Sequence, residues 1–338
     1  MVRRRLLLGC TAVIACLSGT AGAEEADPAA IVAGMFAAGG NHSGVRASGA
    51  KGICLKGAFT PAPGAAALSK APQFAGAPQS AKAPQSAKAV PVTARFSMGG
   101  SNPKVSDKTK PVTRGLAVRM TDPAGDMVFV VVSAPVFSTR TPEQLLASLQ
   151  ARAPGPDGKP DAEKVKAFVA ANPETTRQAA WLNARPVPAS FAGVDYWGVH
   201  AYTLTNARGE ARTAKLKFVS ADKAGLSDDE LKAKPDSFYA DELKERLGRS
   251  PARFDLVAIL AEPGDPTGDP TVLWPEDERR TETLGTLEIT GIEPDATCDA
   301  RTFDPVAELP DGIAGPADDP MFAIRSPAYA VSLSRRAN

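Results

Sequence analysis

From residue 51 onward the chain is cut into short β-rich runs by glycine, proline and aspartate, and this punctuation restricts its fold more than any other feature. The runs are Lys51 to Phe59, Val90 to Ser97, Gly115 to Met120, Met127 to Val132, Gly198 to Thr205, Arg212 to Val219, Phe254 to Ala261 and Leu284 to Ile292. Each is strand-sized and ends in turn-forming residues. Asn206-Ala-Arg-Gly209 between two of them is a hairpin signal. Helical spacing is confined to three stretches. Pro142 to Ala151 follows Thr141, Ala162 to Ala171 carries Val165, Phe168 and Val169 on one face, and Ser227 to Gly248 is polar. Eight or nine strands in antiparallel style, with helices collected in two insertions, predict an α+β fold: a closed antiparallel β-barrel with helical insertions. Closure removes the edges that such strands otherwise expose.

The N-terminus reads as a secretory signal peptide over residues 1–23. Arg3-Arg4-Arg5 is a positive region, Leu6 to Ser18 an apolar stretch, and Ala21-Gly-Ala23 a small-residue cleavage site. The apolar run is shorter than the roughly 20 residues a bilayer needs. The expected location is periplasmic or secreted. Val13-Ile-Ala-Cys16 also fits a lipoprotein cleavage box, and the paired arginines a twin-arginine signal. Apart from such a lipid anchor, no membrane contact is expected. Cleavage leaves Cys54 and Cys298, which either form a disulfide in an oxidising compartment or remain two separate buried thiols.

Residues 24–338 read as one domain. It is interrupted at 71–88, where Ala-Pro-Gln-Ser-Ala-Lys repeats carry too few apolar groups to offset ordering entropy; a flexible surface loop is expected. Lys plus Arg number 39 against 38 for Asp plus Glu, so no charge field points to nucleic acid. With only His42 and His200, hydrolase triads and multi-histidine metal sites have little to work with.

Five segments carry a resemblance. They are Val92-Thr-Ala-Arg-Phe-Ser97, Ala134-Pro-Val-Phe137, Tyr196-Trp-Gly-Val-His-Ala-Tyr202, Trp274-Pro275 and Asp319-Pro-Met-Phe-Ala-Ile-Arg-Ser-Pro-Ala-Tyr329. In this order the chain resembles the catalase superfamily over residues 36–336, and specifically its shorter, exported catalase-related peroxidases. The resemblance implies haem b, with Tyr329 as the iron ligand through a phenolate. A free tyrosine titrates near pH 10, so a nearby cation must favour the anion. Arg325, one helical turn earlier, is so placed. His200 and Asp319 extend the implied series Tyr329–Arg325–His200–Asp319. The resemblance further assigns Arg46, Arg95 and Arg336 to the haem carboxylates, which suits the planar guanidinium, and Phe137 and Met321 to apolar contact with the ring.

On the opposite side the family's pattern breaks. Where it carries a histidine that moves protons on peroxide, this chain has Gly49, within Arg46-Ala-Ser-Gly-Ala-Lys-Gly52. The serine that would hold that histidine is present as Ser97, and Val132 stands where an asparagine is usual. The expected activity is reduction of hydrogen or organic peroxides with a small organic donor, with weak or no catalase activity. A non-catalytic haem-holding or sensing protein is the alternative. His42 could supply a base only by folding back, and an imidazole introduced at Gly49 could act only if the backbone admits it.

Overall fold

The computed structural model describes residues 26–76 and 88–337. The expected secretory segment at 1–23 lies outside them. Among the described residues nine strands form: β1 (Gly52–Pro61), β2 (Val90–Met98), β3 (Arg114–Met120), β4 (Met127–Val132), β5 (Tyr196–Thr205), β6 (Ala211–Ser220), β7 (Ala252–Leu260), β8 (Thr281–Ile292) and β9 (Ile313–Ala314). The sheet runs β4-β3-β2-β1-β8-β7-β6-β5, all pairings are antiparallel, and Val132 opposite Trp197 joins β4 to β5. The eight-stranded barrel predicted from the β-rich runs is therefore closed. β9 adds at β5.

Alternation along the strands builds the core and the outer wall together. In β7, Ala252, Phe254 and Leu256 are buried while Arg253 and Asp255 are exposed. In β2, Ala94 and Phe96 join a core that includes Leu116, Val131, Phe129 and Phe254. Their neighbours Arg95 and Ser97 consequently face the other side of the wall. The register extends this into two rows across β2, β3 and β4: Arg95–Ala117–Val130 and Ser97–Gly115–Val132.

Helices Pro142–Ala151 and Ala162–Ala171 form as expected, the first capped by the Thr141 hydroxyl accepting from Gln144 N. They lie with Arg177–Asn183 between β4 and β5. The polar stretch 227–248 is two helices, Asp228–Ala233 and Phe238–Arg249, because Pro235 cannot continue the first. The described start of the 71–88 loop is also different from expectation. Pro72–Phe74 is a helical turn, Ala71, Gln73 and Phe74 are buried, and Gln73 Nε2 donates to the carbonyls of Met120 and Gly125. Residues 77–87 lie outside the described part.

Two terminal helices complete the outer layer. Pro28–Gly39 begins at an Asp27 cap with proline in its first turn and ends at Gly40. Arg325–Ala337 packs near it. Cys54 of β1 and Cys298 are joined by a disulfide, with Cα atoms 5.7 Å apart. Of the two readings of these cysteines, the bridge is the one present.

Candidate active site

A cavity of about 240 Å³ lies between the outer barrel face and the two terminal helices. Both cross-strand rows form its wall: Arg95, Ser97, Ala117, Val130 and Val132 all line it. Nine of the ten residues singled out in the sequence also line it, namely Arg46, Arg95, Ser97, Phe137, His200, Met321, Arg325, Tyr329 and Arg336. The tenth, Asp319, stands behind His200.

On the C-terminal side, the first turn of helix Arg325–Ala337 places Arg325 against Tyr329. Arg325 Nε and Nη2 donate to the Tyr329 hydroxyl at 3.2 and 2.7 Å. Burial opposes the guanidinium charge, yet the phenol oxygens of Tyr329 and Tyr202 hold the Arg325 pKa above its ordinary value. Arg325 is therefore a fixed cation that donates twice to the phenol oxygen.

His200 reaches the cavity through a bulge. Trp197 pairs with Lys217 and Ala201 with Lys215, so Gly198, Val199 and His200 face Leu216 alone. Such an insertion re-aims side chains, and here Val199 and His200 turn to the cavity. His200 Nδ1 sits 2.6 Å from Asp319 Oδ2. Burial lowers the His200 pKa against the pull of Asp319, so the neutral ring donates through Nδ1 to the carboxylate. Asp319 Oδ1 accepts from the backbone N–H groups of Met321 and Phe322. One carboxylate thus caps a helical turn and orients the imidazole. The expected four-residue series is present as two pairs. Arg325 bears electrostatically on His200, but among the described residues no hydrogen bond joins them.

Arg46, Arg95 and Arg336 gather at the rim. Arg46 Nη2 donates to the Cys298 carbonyl at 2.7 Å and to Asp299 at 3.2 Å, and Arg336 Nη1 lies 3.7 Å from the same carboxylate. Arg95 donates to the carbonyls of Gly49 and Ala50 at 2.6 and 3.3 Å, so it braces the Gly49 loop as well as lining the cavity. Gly52 makes this possible: a Cβ there would lie 2.5 Å from Arg95 Cζ. Burial brings Arg95 down to about 10, with repulsion from Arg46 adding to it, and burial also lowers Arg46 and Arg336. Arg46 Nε and Arg336 Nε and Nη1 are buried without hydrogen-bond partners. Of the three guanidinium groups, Arg46 alone hydrogen-bonds the Asp299 carboxylate, Arg336 lies near it, and Arg95 bonds only backbone carbonyls. This surplus of donors and charge fits a flat apolar ligand bearing two carboxylates, as haem does, and Phe137, Met321 and Tyr329 line the same cavity.

The opposite wall is chemically bare. Gly49 has φ +70°, and a Cβ there would come within 3.1 Å of Ser97 Oγ. The Ser97 hydroxyl makes no hydrogen bond among the described residues, and Val132 shares its row across the strands. His42 does not line the cavity, and among the described residues no aspartate or glutamate does.

Sequence reasoning did not anticipate Ile31, Val32 and Met35 from the N-terminal helix, nor Thr302 and Phe303, all of which line the cavity. Asp27-Pro28 was a readable helix start. Nothing local marks the 302–303 segment, which is held by Arg119 donating to the Thr302 carbonyl and pairing with Glu308.

A family model described as Catalase matches residues 45–337. The chain belongs to the catalase family. It is 36% identical over 302 residues to a catalase-related peroxidase of Synechococcus elongatus, covering 88% of this chain and 85% of that protein. A catalase-related peroxidase of Mycolicibacterium paratuberculosis is 34% identical over 303 residues, covering 88% and 91%. A catalase of Streptomyces coelicolor is 29% identical over 258 residues, covering 70% of this chain and half of that protein. Membership of the catalase family implies haem, in keeping with the arginine rim and the Arg325–Tyr329 pair.

Proposed function

We propose that this protein is a peroxidase: an oxidoreductase that binds haem b and reduces hydrogen or organic peroxides with an organic donor. The observation that carries this reading is the Tyr329 hydroxyl, held by two donors from Arg325 in a cavity lined by three arginines. Two relatives named catalase-related peroxidase support it.

Tyr329 would hold the iron, and Arg46, Arg95 and Arg336 the carboxylates. When bound, haem supplies the iron centre that exchanges electrons with peroxide. Arg325 would fix the position of the phenol oxygen through its two hydrogen bonds. Asp319 and His200 stiffen the wall behind it, as partners behind a ligand commonly do. Opposite, among the described residues, the Ser48 and Ser97 hydroxyls are left, with solvent, to pass protons to peroxide. A placed general base is worth about 10²–10⁴-fold, and Gly49 supplies none, so catalase turnover is expected to be weak beside donor oxidation. The same bareness favours a second reading, haem holding without turnover.

Periplasmic or secreted placement is part of the proposal. It is supported by the Cys54–Cys298 bridge, because disulfides persist in oxidising compartments, and by the signal-like first 23 residues. Purified protein should show a haem band and, on addition of peroxide, oxidise an organic donor faster than it evolves oxygen. A haem band with neither activity selects the holding reading. Oxygen evolution outrunning donor oxidation refutes the assignment of weak catalase activity.

A further inference from the structure

The bulge that turns His200 inward leaves Trp197, three residues earlier, on the outer surface. We propose that Trp197 is an electron-entry site through which the peroxidase oxidises electron-rich phenols or aromatic amines too large to enter the cavity. This rests on the haem peroxidase reading above.

Trp197 and Trp181 are both half-buried and meet edge to face, with ring centroids 5.8 Å apart. Their surroundings differ in a way that selects one of them. The Arg185 guanidinium lies over the Trp181 ring, 3.2 Å from its centroid, and the buried Trp181 Nε1 has no hydrogen-bond partner. A cation on the ring face and no acceptor for its proton both oppose removing an electron. Trp197 Nε1 instead donates to Glu276 Oε1 at 2.5 Å. Lys217 lies 4.5 Å from the Trp197 centroid, but its charge is offset by Glu276 at 2.9 Å and Asp195 at 3.5 Å. Trp197 therefore has a carboxylate ready to accept its proton and no uncompensated cation against it.

The route inward is short. Val199 and His200, two and three residues along β5, line the cavity, and at the strand rise Trp197 Cα is within about 7 Å of Val199 Cα. In each one-electron step Trp197 loses an electron to the peroxide-oxidised site and its indole N–H proton moves to Glu276. A phenol at the surface then returns an electron. The proton goes back from Glu276 to the indole, the phenol's own proton leaves to water, and a phenoxyl radical departs. Two such steps, with two protons taken up from solvent, reduce one hydrogen peroxide to two waters and oxidise two phenols.

The test uses haem-loaded protein with peroxide, rapidly frozen without donor for electron paramagnetic resonance. In parallel, oxidation of a free phenol is compared with that of the same phenol coupled to a large dextran. The native protein should give an indole-centred radical and oxidise both donors. Trp197→Phe should lose the radical and the dextran-phenol activity while keeping the free phenol activity. Should Trp197→Phe not fold, Glu276→Gln keeps both rings and should slow the dextran-phenol reaction alone. Unchanged dextran-phenol oxidation in either folded variant, or an indole radical that survives Trp197→Phe, overturns the proposal. Native protein that oxidises only the free phenol overturns it too and leaves the peroxidase reading standing, whereas protein that takes up no haem overturns both.

Discussion

The two walls of the cavity are built to different standards. Behind Tyr329, buried polar groups have partners: Arg325 on the phenol oxygen, Asp319 on His200, and two backbone N–H groups on the remaining Asp319 oxygen. Around Gly49, a serine whose hydroxyl makes no hydrogen bond among the described residues sits near a glycine and a valine. Buried charges left without partners are costly, so a satisfied network of this kind persists only where its geometry is specified. Nothing on the bare wall is specified in that way beyond the backbone of the glycine itself. The contrast separates holding a group from driving proton transfer on it.

The largest effect should come from opposing single-atom changes on the two walls. Tyr329→Phe removes the oxygen that both Arg325 donors meet, and the haem band should be lost or its ligation signature replaced. Ser97→Ala removes an oxygen that holds nothing, and the absorption spectrum should stay as in the native protein. If the serine variant loses haem or the phenylalanine variant keeps an unchanged spectrum, the contrast between the walls fails.

Much of this contrast was legible in the sequence, because the relevant signals are local or periodic. Strand alternation alone places Arg95 and Ser97 on one face, and the four-residue spacing of Arg325 and Tyr329 places them on one helical turn. The bulge at residues 198–200 was not legible. The sequence reads as continuous strand there, and only the pairing with β6 shows three residues opposite one. The hydrogen bonds of Arg95 to the Gly49 loop were equally hidden, since they depend on where the loop 49–51 meets β2. Gly49 itself was visible as a missing imidazole; its left-handed backbone was not.

Asp319→Ala tests the well-built wall from behind. It strips the cap from Met321 and Phe322, worth about 1 kcal/mol, and leaves the buried His200 N–H unpaired, at about 1–3 kcal/mol. Haem affinity should fall by about 10–100-fold, read by haem titration alongside chemical unfolding. Asp319→Asn, which retains an acceptor, should recover part of both losses. An affinity unchanged in the alanine variant means the carboxylate serves only the helix cap.

A buried cation stands in the next layer. Lys215, 6% exposed, donates to the Val272 carbonyl at 2.9 Å and lies 5.0 Å from the Trp274 centroid. Burial lowers it to about 8, against the pull of Asp269 and Asp319. Because the folded-state pKa lies below the unfolded value, the unfolded chain binds more protons between pH 8 and about 10.4. Stability from this group therefore rises with pH across that window, by at most about 3 kcal/mol. The unfolding free energy of the native protein relative to Lys215→Met should climb between pH 7.5 and 10.5. A flat difference would mean that the lysine is better solvated than its burial indicates.

The smallest effect is expected where a gain is the intuitive guess, at Gly49→His. A general base is worth about 10²–10⁴-fold in rate when placed, and Ser97 waits nearby as a partner. The backbone stands in the way. At φ +70° a side chain is strained, and the new Cβ would lie 3.1 Å from Ser97 Oγ and 3.5 Å from Arg95 Nη1. Relieving that crowding moves the loop whose carbonyls Arg95 holds, so the substitution disturbs the rim as well as the bare wall. Stability should fall by about 1–3 kcal/mol, with no gain in the rate of peroxide cleavage measured by stopped flow. Should the variant instead react faster and unfold no more easily, the loop has room to adopt an ordinary backbone, and the bareness of this wall is a choice of side chain rather than of geometry.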